Sequence, residues 1–266
     1  MKILGLDSSG LAASVALVED CQLVAEFTTN YKKTHSQTLL PMLDELRKLV
    51  ELDLNTIDAI AVASGPGSFT GLRIGSATAK GLGLALDKPL VEVPTLEGLA
   101  WNLCPSDRLV CPLMDARRNQ VYAAVYEFVE EGAEPGTPAS ARLRTVIGQK
   151  PVDVGELMDQ LSALGRRVVF LGDGVPAYRD VISKRCLAPY SFAPAGSSRQ
   201  RAASIASLGG IYYAMGKTVT AAEHVPEYLR MSQAEQEAQR KRKAEVSDGD
   251  CGESAADGGC GGACKN

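Results

Sequence analysis

Residues 64–86 read SGPGSFTGLRIGSATAKGLGLAL. The apolar run DAIAVA at Asp58–Ala63 precedes them, short enough for a buried strand, and Leu72–Leu86 continues as a helix. Strand, glycine corner and helix in succession mark an α/β unit. Glycines at 65, 67 and 71 let backbone amides come close to an anion at a helix N-terminus. No Gly-Lys-Ser/Thr closes the loop, so it is not a Walker loop. Its Gly-x-Gly-x-x-x-Gly spacing, stiffened by Pro66, also departs from the dinucleotide fingerprint, although Glu92 at the end of the next strand keeps that reading open. The plain alternative is a corner that lets two elements pack closely. Beyond it, Gly71, Gly75, Ala79 and Gly83 recur every four residues and share one helix face. Three such glycines cost about 1 kcal/mol each relative to Ala in an isolated helix. Close packing against another backbone, in this chain or a partner, is the compensation.

Upstream, Lys2–Leu6, Ala13–Val18 and Gln22–Thr28 are short apolar stretches in quick succession. Their brief links suit an antiparallel meander, because parallel neighbours need long crossovers. An amphipathic helix follows, with Leu39, Met42, Leu43, Leu46, Leu49 and Val50 at spacings of three and four. Thr34 and Gln37 fit a capping box at its start. Pro41 predicts either a start nearer Thr38 or a kink. Downstream we expect a strand at Leu90–Val93, a helix at Leu96–Asn102 and strands from Leu109 that include Gln120–Phe128. A loop at Pro135–Ser140, a helix at Val154–Leu164, a strand at Val168–Leu171 and helices at Ala177–Lys184 and Gln200–Lys217 follow. The pattern predicts an α/β chain of two related lobes, residues 1–105 and 106–231. The helix at 200–217 is a candidate to complete the first lobe, and 232–266 form a tail.

The 266 residues are 45% hydrophobic and 23% charged, with a formal net charge of −4. No apolar run approaches the roughly 20 residues needed to cross a bilayer. The opening MKILGLDSSG is too soon interrupted by Asp7 for a signal peptide, so the expected location is cytoplasmic. Mild acidity argues against tight, autonomous binding of nucleic acid. Cys21, Cys104, Cys111 and Cys186 are scattered as free thiols usually are. Cys251, Cys260 and Cys264 sit in the glycine-rich tail, which lacks the apolar residues to order itself. Structural zinc there would want a fourth ligand. The run Arg240–Lys243 reads as a solvated face or an RNA-backbone contact.

Asp7-Ser8-Ser9-Gly10 reads as a tight turn after a buried strand. Such a carboxylate can orient a metal-bound water and such amides and hydroxyls can approach a phosphate, yet the same residues build ordinary turns. The only histidines are His35 and His224. A two-histidine metal pair on one helix would need a second His near position 39, where Leu39 stands. No nucleophile elbow is present. Asp115-Ala116-Arg117-Arg118 can grip phosphate or form a surface ion pair. Leu171-Gly172-Asp173-Gly174 is another glycine corner.

Taken together, ILGLDSS (3–9), THSQTLLPML (34–43), the stretch at 64–86, DARRNQVYAAVY (115–126), LGDG (171–174) and PEYLR (226–230) resemble the bacterial TsaB family, also called YeaZ. The resemblance implies a two-lobed fold of the actin/sugar-kinase/heat-shock ATPase type with duplicated mixed-sheet domains. It also implies a non-catalytic subunit that binds and activates the catalytic paralogue TsaD, with the ATPase TsaE. Together these form threonylcarbamoyladenosine next to the anticodon of ANN-reading tRNAs. ATP and metal then belong to the partner subunits, and tRNA is met through the complex. Asp7, Ser8 and Ser9 become a vestigial phosphate loop, with no catalytic or metal-ligating residue in this chain. Pairing with TsaD, or with a second copy in isolation, would use the two first-lobe helices. The expected interface positions are Leu39, Leu43, Gly71, Gly75, Ala79 and Gly83. The competing readings are an independent ATP-dependent kinase of the same fold, using Asp7 and Asp115, and a metallopeptidase.

Overall fold

The computed structural model describes residues 1–31, 33–130 and 141–229. The Pro135–Ser140 loop, the tail from 232 with its three cysteines, and the Arg240–Lys243 run lie outside the described residues.

The N-terminal meander forms as its short links dictate. Strands β1 (Lys2–Asp7), β2 (Ala13–Glu19) and β3 (Gln22–Thr29) pair antiparallel. Strands β4 (Ala59–Gly65) and β5 (Leu90–Pro94) then add in parallel, giving the order β3-β2-β1-β4-β5. A second sheet repeats the scheme with β6 (Leu109–Asp115), β7 (Gln120–Glu130), β8 (Ala141–Asp153), β9 (Val168–Leu171) and β10 (Tyr190–Phe192). Its order is β8-β7-β6-β9-β10, with two antiparallel pairs followed by two parallel ones. This repetition of a mixed sheet with covering helices is the α/β fold of two like halves that the sequence pattern predicts. The antiparallel meander also overturns the dinucleotide-binding expectation, which needs a parallel, doubly wound sheet.

Helices α1 (His35–Leu49) and α2 (Phe69–Leu86) cover one face of the first sheet. Leu39, Leu43, Leu46 and Ala79 pack there on Leu4, Leu6, Val15, Leu17, Ile60 and Val62. Burying each leucine stabilises the fold by roughly 1.5–3 kcal/mol. The alternate residues Ile3, Ala59 and Ala61 face the other way, onto α6 (Ala202–Ala214). That helix lies so close that a Cβ on Gly209 would stand 2.4 Å from the Ala61 Cβ. Helix α3 (Thr95–Trp101) joins the sheets, placing Leu96, Leu99 and Ala100 against Val110, Met114 and Tyr122. Helices α4 (Val154–Leu164) and α5 (Gly174–Arg185) cover the far face of the second sheet around Leu157, Phe170 and Ile182.

Three local expectations need correction. Thr34 is the N-cap of α1, but its side chain makes no capping bond. The Gln37 N–H instead bonds the Thr34 carbonyl at 2.9 Å. Helix α1 does not start at Thr38; it begins at His35 and continues past Pro41 to Leu49. The proline and Gln37, whose carbonyl loses its partner there, are both exposed, so water can satisfy that group. Strands β8 and β10 are two elements that the sequence pattern does not mark.

Candidate functional site

The turn after β1 is where the sequence places its candidate phosphate loop. The Asp7 carboxylate is buried, and its Oδ1 accepts from the Ser9 N–H at 2.9 Å and from the Ser9 hydroxyl at 2.6 Å. Burial pushes this carboxyl up to about 6, even though the bonds from Ser9 and the nearby His35 favour the ionised form. Ser8 Oγ donates to the Gly71 carbonyl at 2.8 Å, and the Ser68 N–H donates to the Ser9 carbonyl at 2.7 Å. The glycine corner exists to admit this turn. A Cβ on Gly71 would sit 2.1 Å from the Ser8 carbonyl oxygen, and one on Gly67 would sit 2.3 Å from that of Ser9. On the far side, Gly10 meets the side chain of Gln200, which is fully buried with neither amide atom hydrogen-bonded. His35 Nε2 bonds the Gly10 carbonyl at 2.8 Å, while Leu39 one turn later is in the core. Asp7, Ser8 and Ser9 are therefore brought together as expected, but both hydroxyls and the Ser9 and Ser68 amides are spent inside the chain. As placed, they do not fit a phosphate group.

The corresponding turn of the second sheet is also self-contained. The Asp173 carboxylate accepts from the Asp115 N–H at 3.2 Å. Asp115 in turn accepts from the Arg117 N–H at 2.8 Å and the Tyr178 hydroxyl at 3.0 Å. Burial raises Asp173 above the ordinary carboxylate range. Arg117, Arg118 and Asn119 all take left-handed φ values of 66°, 55° and 64°, so the turn is strained by local standards. The arginines are exposed, and Arg117 Nε lies 3.9 Å from Asp115 Oδ2, a surface ion pair of little energetic weight. Glu92 accepts from His224 Nδ1 at 2.6 Å and from the Val225 N–H at 3.3 Å, which removes the remaining support for a ribose contact. Among the described residues, no group of three or more His, Cys, Asp or Glu side chains is placed to hold a metal ion.

The expected interface positions require a correction. Leu39, Leu43, Gly71, Gly75, Ala79 and Gly83 are all buried within the chain. Gly71 and Gly75 press on Ser8, and Gly83 packs against Leu90, the Lys88 carbonyl and Ala221. Their partner is the chain's own core, and a second protein cannot reach them. What α1 and α2 leave outward is the opposite face: Leu40 (54% exposed) and Leu49 (71%) on α1, and Thr70, Arg73, Ala77, Gly81 and Leu84 (72%) on α2. A Cβ on Gly81 would meet nothing within 4 Å. The segment beyond α6 completes this region. Val219 bridges to Leu90, the Glu227 N–H bonds the Ser64 carbonyl at 2.7 Å, and Tyr228 rests on Phe69 with ring centroids 4.8 Å apart.

The fold and the site define an α/β chain of two like mixed sheets whose first turn is closed by its own glycine corner, with one face of α1 and of α2 left outward. Known proteins share this sequence and fold. A family model described as "TsaD: tRNA N6-adenosine threonylcarbamoyltransferase" matches residues 22–238. The tRNA threonylcarbamoyladenosine biosynthesis protein TsaB of Bacillus subtilis is 32% identical, covering 88% of this chain and 96% of its own. Its Escherichia coli counterpart is 34% identical, covering 86% and 95%. The solved structure of YeaZ from Pseudomonas aeruginosa superposes with a TM-score of 0.70 at 28% identity, over 86% of this chain and 99% of that one. The chain belongs to the TsaB (YeaZ) family.

Proposed function

We propose that this chain serves the biosynthesis of threonylcarbamoyladenosine in tRNA as a non-catalytic scaffold that binds and activates the TsaD paralogue, with TsaE as the ATPase. The observation that carries the reading is the closed turn: the hydroxyls of Ser8 and Ser9 and the Ser68 amide, which a working phosphate loop would point at its ligand, bond Gly71, Asp7 and Ser9 instead. A second feature supports it, because His35 has Leu39 where a metal-binding helix would offer another histidine. ATP and metal are then supplied by the partners, and tRNA is reached through the assembled complex. The chain contributes the outer face of α1 and α2, to TsaD or, in isolation, to a second copy of itself.

The test is direct measurement of the heterodimer. Ala77→Arg adds a long cation to the exposed face of α2 without touching its buried side. It should weaken binding to TsaD at least about 30-fold, the scale of a lost interface hot spot of roughly 2 kcal/mol. Ala79→Arg is unsuitable, since that position is core. Undiminished affinity of the folded Ala77 variant would overturn the assigned face. Phosphoryl transfer by the isolated chain with ATP and magnesium would replace the scaffold reading by the kinase one.

A further inference from the structure

A groove of about 610 Å³ opens on the second sheet, away from α1 and α2. That volume is within the range usual for small-molecule sites. Val169 and Ser191 are register partners on β9 and β10, so they point to the same face of the sheet. Phe128 of β7 and Leu103 pack in the same cluster as Val169 and supply apolar wall. Trp101, the single tryptophan, meets Phe128 edge-on with centroids 5.8 Å apart.

Arg108 is the one cation among the described lining residues, and Arg179, outside the lining, stacks on the Phe192 ring at 4.6 Å. Arg108 Nη1 donates to Ser191 Oγ at 3.0 Å, and the Arg108 N–H bonds Ser106 Oγ at 3.2 Å. Its nearest carboxylate, Asp107, lies 3.8 Å from Nε and is 89% exposed, so water screens it. Most of the five guanidinium donors therefore remain without a hydrogen-bond acceptor.

We propose that this groove binds a small hydrophobic monocarboxylate. The carboxylate pairs with the Arg108 guanidinium, joined by the Ser191 hydroxyl, and the apolar body lies over Val169, Phe128 and Leu103. A guanidinium fork matches a carboxylate in two parallel hydrogen bonds. The site is independent of the scaffold reading.

The test uses the full chain, with 3-phenylpropionate and its amide as probes, followed by Trp101 fluorescence and in parallel by titration calorimetry. The acid should bind saturably and about tenfold more tightly than the amide, the difference expected for a charge-assisted pair. Arg108→Gln should bring the acid down to the amide's affinity. The acid–amide comparison on the unaltered protein needs no variant to fold. No saturable binding of the acid by either readout, equal affinity of acid and amide, or displacement of the acid by inorganic phosphate at equal concentration would each overturn the proposal.

Discussion

Asp7→Asn should stabilise the protein at neutral pH and remove a component of its pH dependence. Asp7 Oδ1 takes both bonds from Ser9, at 2.9 Å from the N–H and 2.6 Å from the hydroxyl. An asparagine carbonyl in the same place accepts both, so only the ionisation is lost. Burial raises the carboxyl from 3.8 to about 6. At 1.36 kcal/mol for each pH unit of displacement, an ionised Asp7 costs the folded state about 3 kcal/mol. Between about pH 4 and pH 6 the folded protein keeps a proton that the unfolded chain has released, so stability falls as pH rises through that window. Above about pH 6 the full cost persists. The assay is urea unfolding of both proteins from about pH 4 to pH 7.5, read as the difference between the two curves. Glu97 and Asp173, also raised by burial, are present in both proteins and cancel in that difference. The variant should match the parent near pH 4 and exceed it by about 3 kcal/mol near pH 7.5. A difference that stays constant with pH, or a variant weaker at neutral pH, would refute the reasoning.

Other outcomes follow from the same geometry. Gly71→Ala puts a Cβ 2.1 Å from the Ser8 carbonyl oxygen, a backbone atom that cannot rotate away, and should cost about 2 kcal/mol or more in denaturant unfolding. Gly81→Ala, ten residues along the same helix and facing open space, should instead gain up to about 1 kcal/mol. Glu26→Ala strips a largely buried carboxylate that pairs with Arg201 and accepts from the Ala203 N–H at 3.0 Å at the start of α6; it should cost about 1–2 kcal/mol, chiefly through the lost hydrogen bonds, because water reaches the Arg201 guanidinium left behind.

The parts of the fold that sequence makes legible are those dictated by local spacing. Links of a few residues require β1, β2 and β3 to pair antiparallel, and α1 shows its buried leucines at helical intervals. Strand β8, ARLRTVIGQKPVD, escapes because it is mostly half-buried or exposed and carries Gly, Gln, Lys and Pro, all weak strand formers. Strand β10 has three residues, too few for a period. At the candidate site, the Asp7–Gly10 turn and the glycine corner are both visible as turns, but their contact is not. Nothing local says that Ser8 meets Gly71, or that Gln200 fills the space beside Gly10 across 190 positions of chain.

The glycine ladder shows how far a period carries an argument. A four-residue repeat establishes that Gly71, Gly75, Ala79 and Gly83 share a face, and leaves open which backbone approaches it. The structure resolves that choice for the Ser8 turn and the β5 region, and this makes the other side of α2 more informative. Helix α2 spans 18 residues with only Arg73 and Lys80 charged, and Lys80 reaches back to the Ala222 carbonyl at 3.4 Å. Ala77, Gly81 and Leu84 therefore form an apolar outer stripe on a helix whose inner stripe is already full. A helix apolar on both sides is ordinarily covered on both, and exposed apolar patches of this kind mark surfaces that bind other proteins. Moving the interface positions into the core thus leaves the pairing proposal standing. It relocates the proposal by half a turn, from residues that hold the chain together to residues with no such role.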